Sequence, residues 1–164
     1  IICAVGYMGE QEVNEKKADY RTEVLRTNYE GPINIISELA NILEDKGNGT
    51  IVGISSVAGD RGRAKNYIYG SAKAGFSAFL SGLRNRLSKK NVHVVTVLPG
   101  TVYTKMTAGL KLPKFFTSYP DKVSNDIYIA VKKKKNIIYT MGIWRFIMMI
   151  IKLIPEEIFK KLKI

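Results

Sequence analysis

The chain has 164 residues, 46% of them apolar and 24% charged, with a net charge of +12 and one cysteine, Cys3. This is one domain's worth of an ordinary globular protein with a core of its own, and a lone cysteine excludes an intrachain disulfide and makes a reducing compartment the default. The positive balance first raises nucleic acid as a partner, but the basic residues form neither an arm nor a helix interleaved with aromatics, so nucleic acid is set aside. They gather instead at the C-terminal end, where residues 131–164 hold nine Lys or Arg against Glu156 and Glu157. That pattern, flanking an apolar run, suits an anionic membrane surface or a solvated face. The opening, IICAVGYMGE, has neither an initiator methionine nor a charged leader and looks cut.

Residues 1–5 are a short apolar run that reads as a buried strand. Residues 18–46 place Val24, Leu25, Ile35, Ile36, Leu39, Ile42 and Leu43 at near-helical spacing. Gly31-Pro32 inside that helix predicts a bend or a missing backbone bond, and Gly47-Asn48-Gly49 predicts its stop. Residues 50–55 are the next strand, and 57–66 a polar loop. Residues 67–89 form a helix with Ala72, Phe76, Phe79, Leu80, Leu83 and Leu87 along one stripe. The run VHVVTVL, 92–98, reads as a strand covered on both faces. A long loop, 99–119, leads to a helix at 120–135 that begins with proline and acid and ends in lysines, then to a strand at 136–140. Strands alternating with helices predict an α/β fold with a mostly parallel sheet. In such sheets ligands sit beyond the carboxyl ends of the strands. Residues 3–9, Ser55-Ser56 and 99–104 all fall there. His93, inside a strand, reads as a core or edge residue, and no metal is expected.

Tyr69 and Lys73 lie one helical turn apart on one face. A phenol ordinarily ionises near pH ~10. A nearby ammonium favours the phenolate, which predicts a phenol able to give a proton to a forming alkoxide. Ser56 is placed to hydrogen-bond the same oxygen.

The segments ISSVAGDRGRAKNYIYGSAKAG and LPGTVYT together resemble the short-chain dehydrogenase/reductase family, over essentially the whole chain. The resemblance implies a Rossmann-like, doubly wound fold and NAD or NADP as cofactor, with the choice between them not readable here. It implies a catalytic tetrad of Asn28, Ser56, Tyr69 and Lys73, with Ser56 rather than Ser55 orienting the substrate carbonyl. Asn28 would hold the water that reconnects Lys73 to solvent. Gly6, Pro99, Gly100, Val102 and Thr104 would meet the nicotinamide side of the cofactor, and Tyr69 and Lys73 its ribose. The family's Asn-Asn-Ala-Gly turn stands here as Cys3-Ala4-Val5-Gly6, without the asparagines that brace it. The family's dinucleotide-binding half, with its Gly-rich turn, is expected to precede Ile1, so residues 1–140 read as the C-terminal part of such a domain, with an exposed strand edge. Gly47-x-Gly49 leads into a strand and reads as a helix stop rather than that turn.

Residues 101–118 should form the substrate lid, with Met106, Leu110, Leu112, Phe115 and Phe116 offering apolar contacts and Met106 facing substrate beside Ser56 and Tyr69. In the tail, 141–164, six unbroken apolar residues between Arg145 and Lys152 are too few to span a bilayer. They fit a helix lying on a membrane, one completing the core, or an oligomer contact. SSVAGDRGR, NYIYGSAKAG and this tail also resemble the branch that reduces the keto-sugar of a polyprenyl phosphate in cell-wall synthesis. That implies a lipid-linked carbonyl substrate and a cytoplasmic protein, peripheral at the inner membrane face. The alternatives are a reductase of another carbonyl, such as a 3-oxoacyl thioester or steroid-like ketone, and a non-catalytic membrane or oligomer module. Helices 18–46 and 67–89 are those the family uses for oligomer contacts, and Gly70, Ser71, Ala74, Gly75 and Ala78 would admit a neighbouring helix.

Overall fold

The computed structural model describes residues 1–109 and 114–162. In chain order its elements are β1 (Ile2–Cys3), α1 (Gln11–Lys16), α2 (Ala18–Leu25), a π-turn (Arg26–Glu30), α3 (Gly31–Lys46), β2 (Gly49–Ile54), α4 (Tyr67–Leu87), β3 (Val92–Leu98), β4 (Thr101–Val102), β5 (Thr117–Ser118), α5 (Pro120–Lys132), β6 (Ile137–Tyr139), α6 (Ile143–Leu153) and α7 (Glu156–Phe159). The sheet runs β1-β2-β3-β6, every pair parallel, as the alternating pattern predicts.

The alternation along β2 and β3 sorts the core into two layers. Ile51 and Val94 face α3 and α4 in a cluster with Ile36, Ala40, Phe76 and Leu80. Val52, Val95 and Val97 face α5 through Val123, Ile127 and Ala130. Both layers are dry, which is why strand 92–98 is apolar at almost every position. Gly53 lets α4 approach β2, since a β-carbon there would lie 2.3 Å from Leu80 Cδ1. β1 is the sheet's edge, and Ile2 on it is 63% exposed.

The predicted bend at Gly31-Pro32 takes a specific form. Pro32 has no N–H, and the turn just before it widens to π geometry, with Gly31 N–H donating to the Arg26 carbonyl five residues back. Gly47, at φ +69°, ends α3 in the left-handed region where glycine carries no penalty. Other boundaries differ from expectation. α1 was not anticipated, and the predicted helices 67–89 and 120–135 stop at Leu87 and Lys132. The first strand is two residues rather than five, because after Cys3 the chain turns off the edge of β2.

The C-terminal segment packs on the domain. Trp144, Met148 and Ile151 of α6 meet Val57, Leu98 and Tyr139. Arg61 donates to the carbonyls of Ile151 and Ile154 and pairs with Glu156, while its guanidinium lies 3.7 Å from the centre of the Phe159 ring. Three small residues of α4 also meet neighbours within the chain, while Ser71 and Ala78 are exposed. A β-carbon at Gly70 would lie 2.8 Å from the Ala58 carbonyl oxygen, one at Gly75 would lie 3.1 Å from Tyr29, and Ala74 receives Gly59. Gly70, Ala74 and Gly75 thus serve packing within the chain.

Candidate active site

A cavity of about 550 Å³ opens at the carboxyl ends of β2 and β3. Ser56, Tyr69, Lys73 and Gly6 line it, as do Pro99, Gly100, Val102, Thr104 and Met106, so nine of the ten residues singled out in the sequence share one wall system. Leu110 and Leu112 of the expected lid lie outside the described residues. The lid's two ends are held together by the parallel pairing of β4 with β5.

The two serines at the end of β2 have different surroundings. The Ser55 side chain is buried, donates to the Lys73 carbonyl at 2.9 Å and shares a hydrogen bond with Ser77. Ser56 lies two residues beyond the strand, in extended backbone, and its Oγ accepts the Ala58 N–H at 3.1 Å. The turn it caps, 57–59, is pressed onto α4 by the close approaches at Gly59 and Gly70. That contact brings Ser56 up to Tyr69, near enough for its hydroxyl to favour the phenolate.

Lys73 is 2% exposed. Its ammonium donates to the carbonyls of Val5 at 3.2 Å and Ile54 at 3.1 Å, and sits 5.8 Å from the Tyr69 ring centre. Burial brings its pKa down to about 8, with the Cys3 thiol opposing that fall. The expected acidification of Tyr69 is not what governs the free site. Burial pushes the phenol above its ordinary value, and the Ser56 hydrogen bond pulls it back only in part. The ammonium's hydrogen bonds go to the backbone carbonyls of Val5 and Ile54 rather than to the phenol, and desolvation of the phenol is the larger effect on it.

Asn28 stands behind the cavity and does not line it. Wholly buried in the π-turn, it donates to the carbonyls of Tyr7 and Val24 and accepts the Tyr7 N–H at 3.2 Å. It braces the turn at Gly6 from outside, replacing the support that Cys3 and Ala4 cannot give. Both polar ends of its side chain are engaged there. His93 sits at the other end of β3 from the cavity.

Three lining residues were missed. Trp144 reaches the cavity from α6, its ring fills the space a side chain on Gly100 would occupy, and its Nε1 donates to the Phe116 carbonyl at 3.2 Å. Arg63 and Asn66, from the loop before α4, complete the wall. Trp144 could have been found from the lone indole at the head of an amphipathic tail. The other two carry no spacing signal.

The family model for short chain dehydrogenases matches residues 1–114. The chain belongs to that family. It is 30% identical over 161 residues to an uncharacterized oxidoreductase of Mycobacterium tuberculosis, covering 98% of this chain and 64% of that protein. Over 162 residues it is 31% identical to an uncharacterized oxidoreductase of Streptomyces coelicolor, covering 99% and 64%. The chain therefore spans slightly less than two thirds of the length of these oxidoreductase relatives. Among solved structures, the backbone is similar to a short chain dehydrogenase from Burkholderia cenocepacia in complex with NADP, with a TM-score of 0.85 over 98% of this chain and 67% of that one. At 19% identity that likeness establishes the fold.

Proposed function

We propose that this short-chain dehydrogenase reduces a ketone to an alcohol with NADH or NADPH, using Ser56, Tyr69 and Lys73. The observation that supports the reading is the gathering of phenol, hydroxyl and buried ammonium on one cavity whose remaining wall is mostly apolar. The residues present fit the nicotinamide half of such a cofactor. Gly6 leaves open a space where a β-carbon would contact Met106, Asn28 Oδ1 and Lys73 Nζ at 3.4, 3.5 and 3.7 Å. Pro99, Gly100, Val102 and Thr104 border the same space. When bound, the reduced nicotinamide supplies the hydride.

Tyr69 gives its proton to the ketone oxygen as charge builds there. Its raised pKa keeps the phenol protonated at neutral pH, the form that reduction requires and oxidation does not. Ser56 orients the oxygen. Lys73, with a pKa of about 8, is matched to neutral pH as the group that restores the proton. Asn28 fixes the Gly6 turn on which the Val5 carbonyl, one of Lys73's two partners, is carried.

The proposed substrate is a lipid-linked keto-sugar of cell-envelope synthesis, met at a membrane surface. Support comes from the far side of α6, where Phe146, Ile150 and Leu153 are 61%, 61% and 75% exposed beside Arg145 and Lys152. Among the described residues no helix is long and apolar enough to cross a membrane, so the contact would be peripheral. The test is an assay of cofactor oxidation by the protein with the family's dinucleotide-binding segment in place. A polyprenyl-phosphoryl keto-pentose should be turned over faster than short soluble ketones. Equal rates would remove the lipid-linked substrate, and cofactor binding without turnover of any ketone would remove the reductase reading.

A further inference from the structure

The cavity carries one cation that the reaction does not use. Of its lining residues only Arg63 and Lys73 are charged, and none is acidic. Lys73 is engaged by two carbonyls. Arg63 is not. Its Nε is buried without a hydrogen-bond partner, and among the described residues no carboxylate lies within salt-bridge distance of its guanidinium. Asp60 is near enough to be felt by Arg63, but its carboxylate accepts the Tyr139 hydroxyl at 2.8 Å. Its neighbour Arg61 is the contrast: four residues of the tail are arranged around that guanidinium, by hydrogen bonds to Ile151, Ile154 and Glu156 and by the Phe159 ring. Arg63 is half-buried, and desolvating a guanidinium without a paired counter-charge is costly; burial lowers its pKa, with the Asp60 charge opposing that fall. Arginine's planar donor fork matches phosphate and carboxylate oxygens, which lysine's point charge does so less well.

We infer that Arg63 is the anchor for an anionic oxygen group on the substrate, of phosphate-diester type, held in the cavity between the 57–66 loop and Trp144. The group enters beside Asn66, whose Oδ1 is likewise buried without a partner, so the amide is available to turn its N–H₂ toward the same anion. The site rests on the reductase reading only for what it selects: an uncharged ketone would be reduced by the same residues with no use for Arg63.

The chain's single tryptophan, Trp144, lines the same cavity and reports occupancy directly. Titration with dibutyl phosphate should shift Trp144 emission saturably, and tributyl phosphate, which lacks the charge, should not. Losing a charge-assisted hydrogen bond at a buried site should weaken dibutyl phosphate by roughly tenfold or more in Arg63→Met. Arg63→Lys should recover part of the loss, and butanoate tells whether phosphate or carboxylate is preferred. In the reducing enzyme Arg63→Met should raise KM for a phosphate-bearing ketone and leave kcat/KM for a neutral ketone within about twofold, since the lost contact is made to bound substrate and transition state alike. Equal response to the charged and neutral phosphates, or unchanged affinity in Arg63→Met with an unchanged circular dichroism spectrum, overturns the assignment. Because the titration needs no turnover, anion binding without ketone reduction would sink the reductase reading alone.

Discussion

The cavity's two walls are built on different principles. The wall at the sheet, Ser56, Tyr69 and Lys73, is held by buried hydrogen bonds to backbone that cannot move without opening the core: Lys73 to Val5 and Ile54, Ser55 to Lys73, Asn28 to Tyr7. The wall at the tail is held by one arginine, one indole and a thin apolar seam, and its outer face is exposed oil beside positive charge. The first fixes chemistry. The second is attached to it, and its contacts can be altered without touching the reacting groups.

The comparison can be broken at three points. The largest effect on stability belongs to Lys73. Its pKa in the folded chain, about 8, lies below the ordinary 10.5, so between these values the unfolded chain holds a proton that the folded chain has released. Stability should therefore rise with pH above 8, by up to about 3 kcal/mol, until Tyr69 and Tyr139, whose folded pKa values are raised, lose their advantage above pH ~10. Urea unfolding from pH 7 to 10 should show this rise in the parent and none in Lys73→Met. Next comes Arg61→Ala, which removes three hydrogen bonds and the Phe159 contact at once. It should cost about 1–3 kcal/mol and red-shift Trp144 emission, while far-ultraviolet circular dichroism of the sheet and α4 stays as it was. The smallest is Ile150→Ser with Leu153→Ser on the outer face, where stability should change by no more than about 0.5 kcal/mol per site. The same pair should abolish flotation with anionic vesicles if that face meets a membrane. Retained flotation would exclude α6 as the contact.

These differences also mark what the sequence made legible. The sheet wall was readable because its residues obey two periods at once, the strand alternation of 92–98 and the helical stripe of 67–87, and because Tyr69 and Lys73 keep a fixed spacing on one helix. The cavity's position followed from parallel strands alone. What escaped depended on contacts between distant segments. The pairing of Arg61 with the tail spans about ninety residues, and the seat of Trp144 on Gly100 becomes visible only when the chain folds. The direction of the Tyr69 shift was read from a charge at short sequence separation, whereas burial, which no spacing reports, decides it. The brace from Asn28 to Tyr7 was hidden for the same reason: a π-turn sets its aim, and that turn arises from the missing N–H of a proline four residues on.

The central claim is that the Tyr69 hydroxyl delivers the proton. The measurement that tests it most directly is single-turnover oxidation of NADPH or NADH by a ketone at pH 7 in Tyr69→Phe, with cofactor affinity measured alongside. The account predicts unchanged affinity and a rate lower by about 10²–10⁴-fold. A rate within about tenfold of the parent would be too fast for an enzyme that has lost its proton donor, and would contradict it.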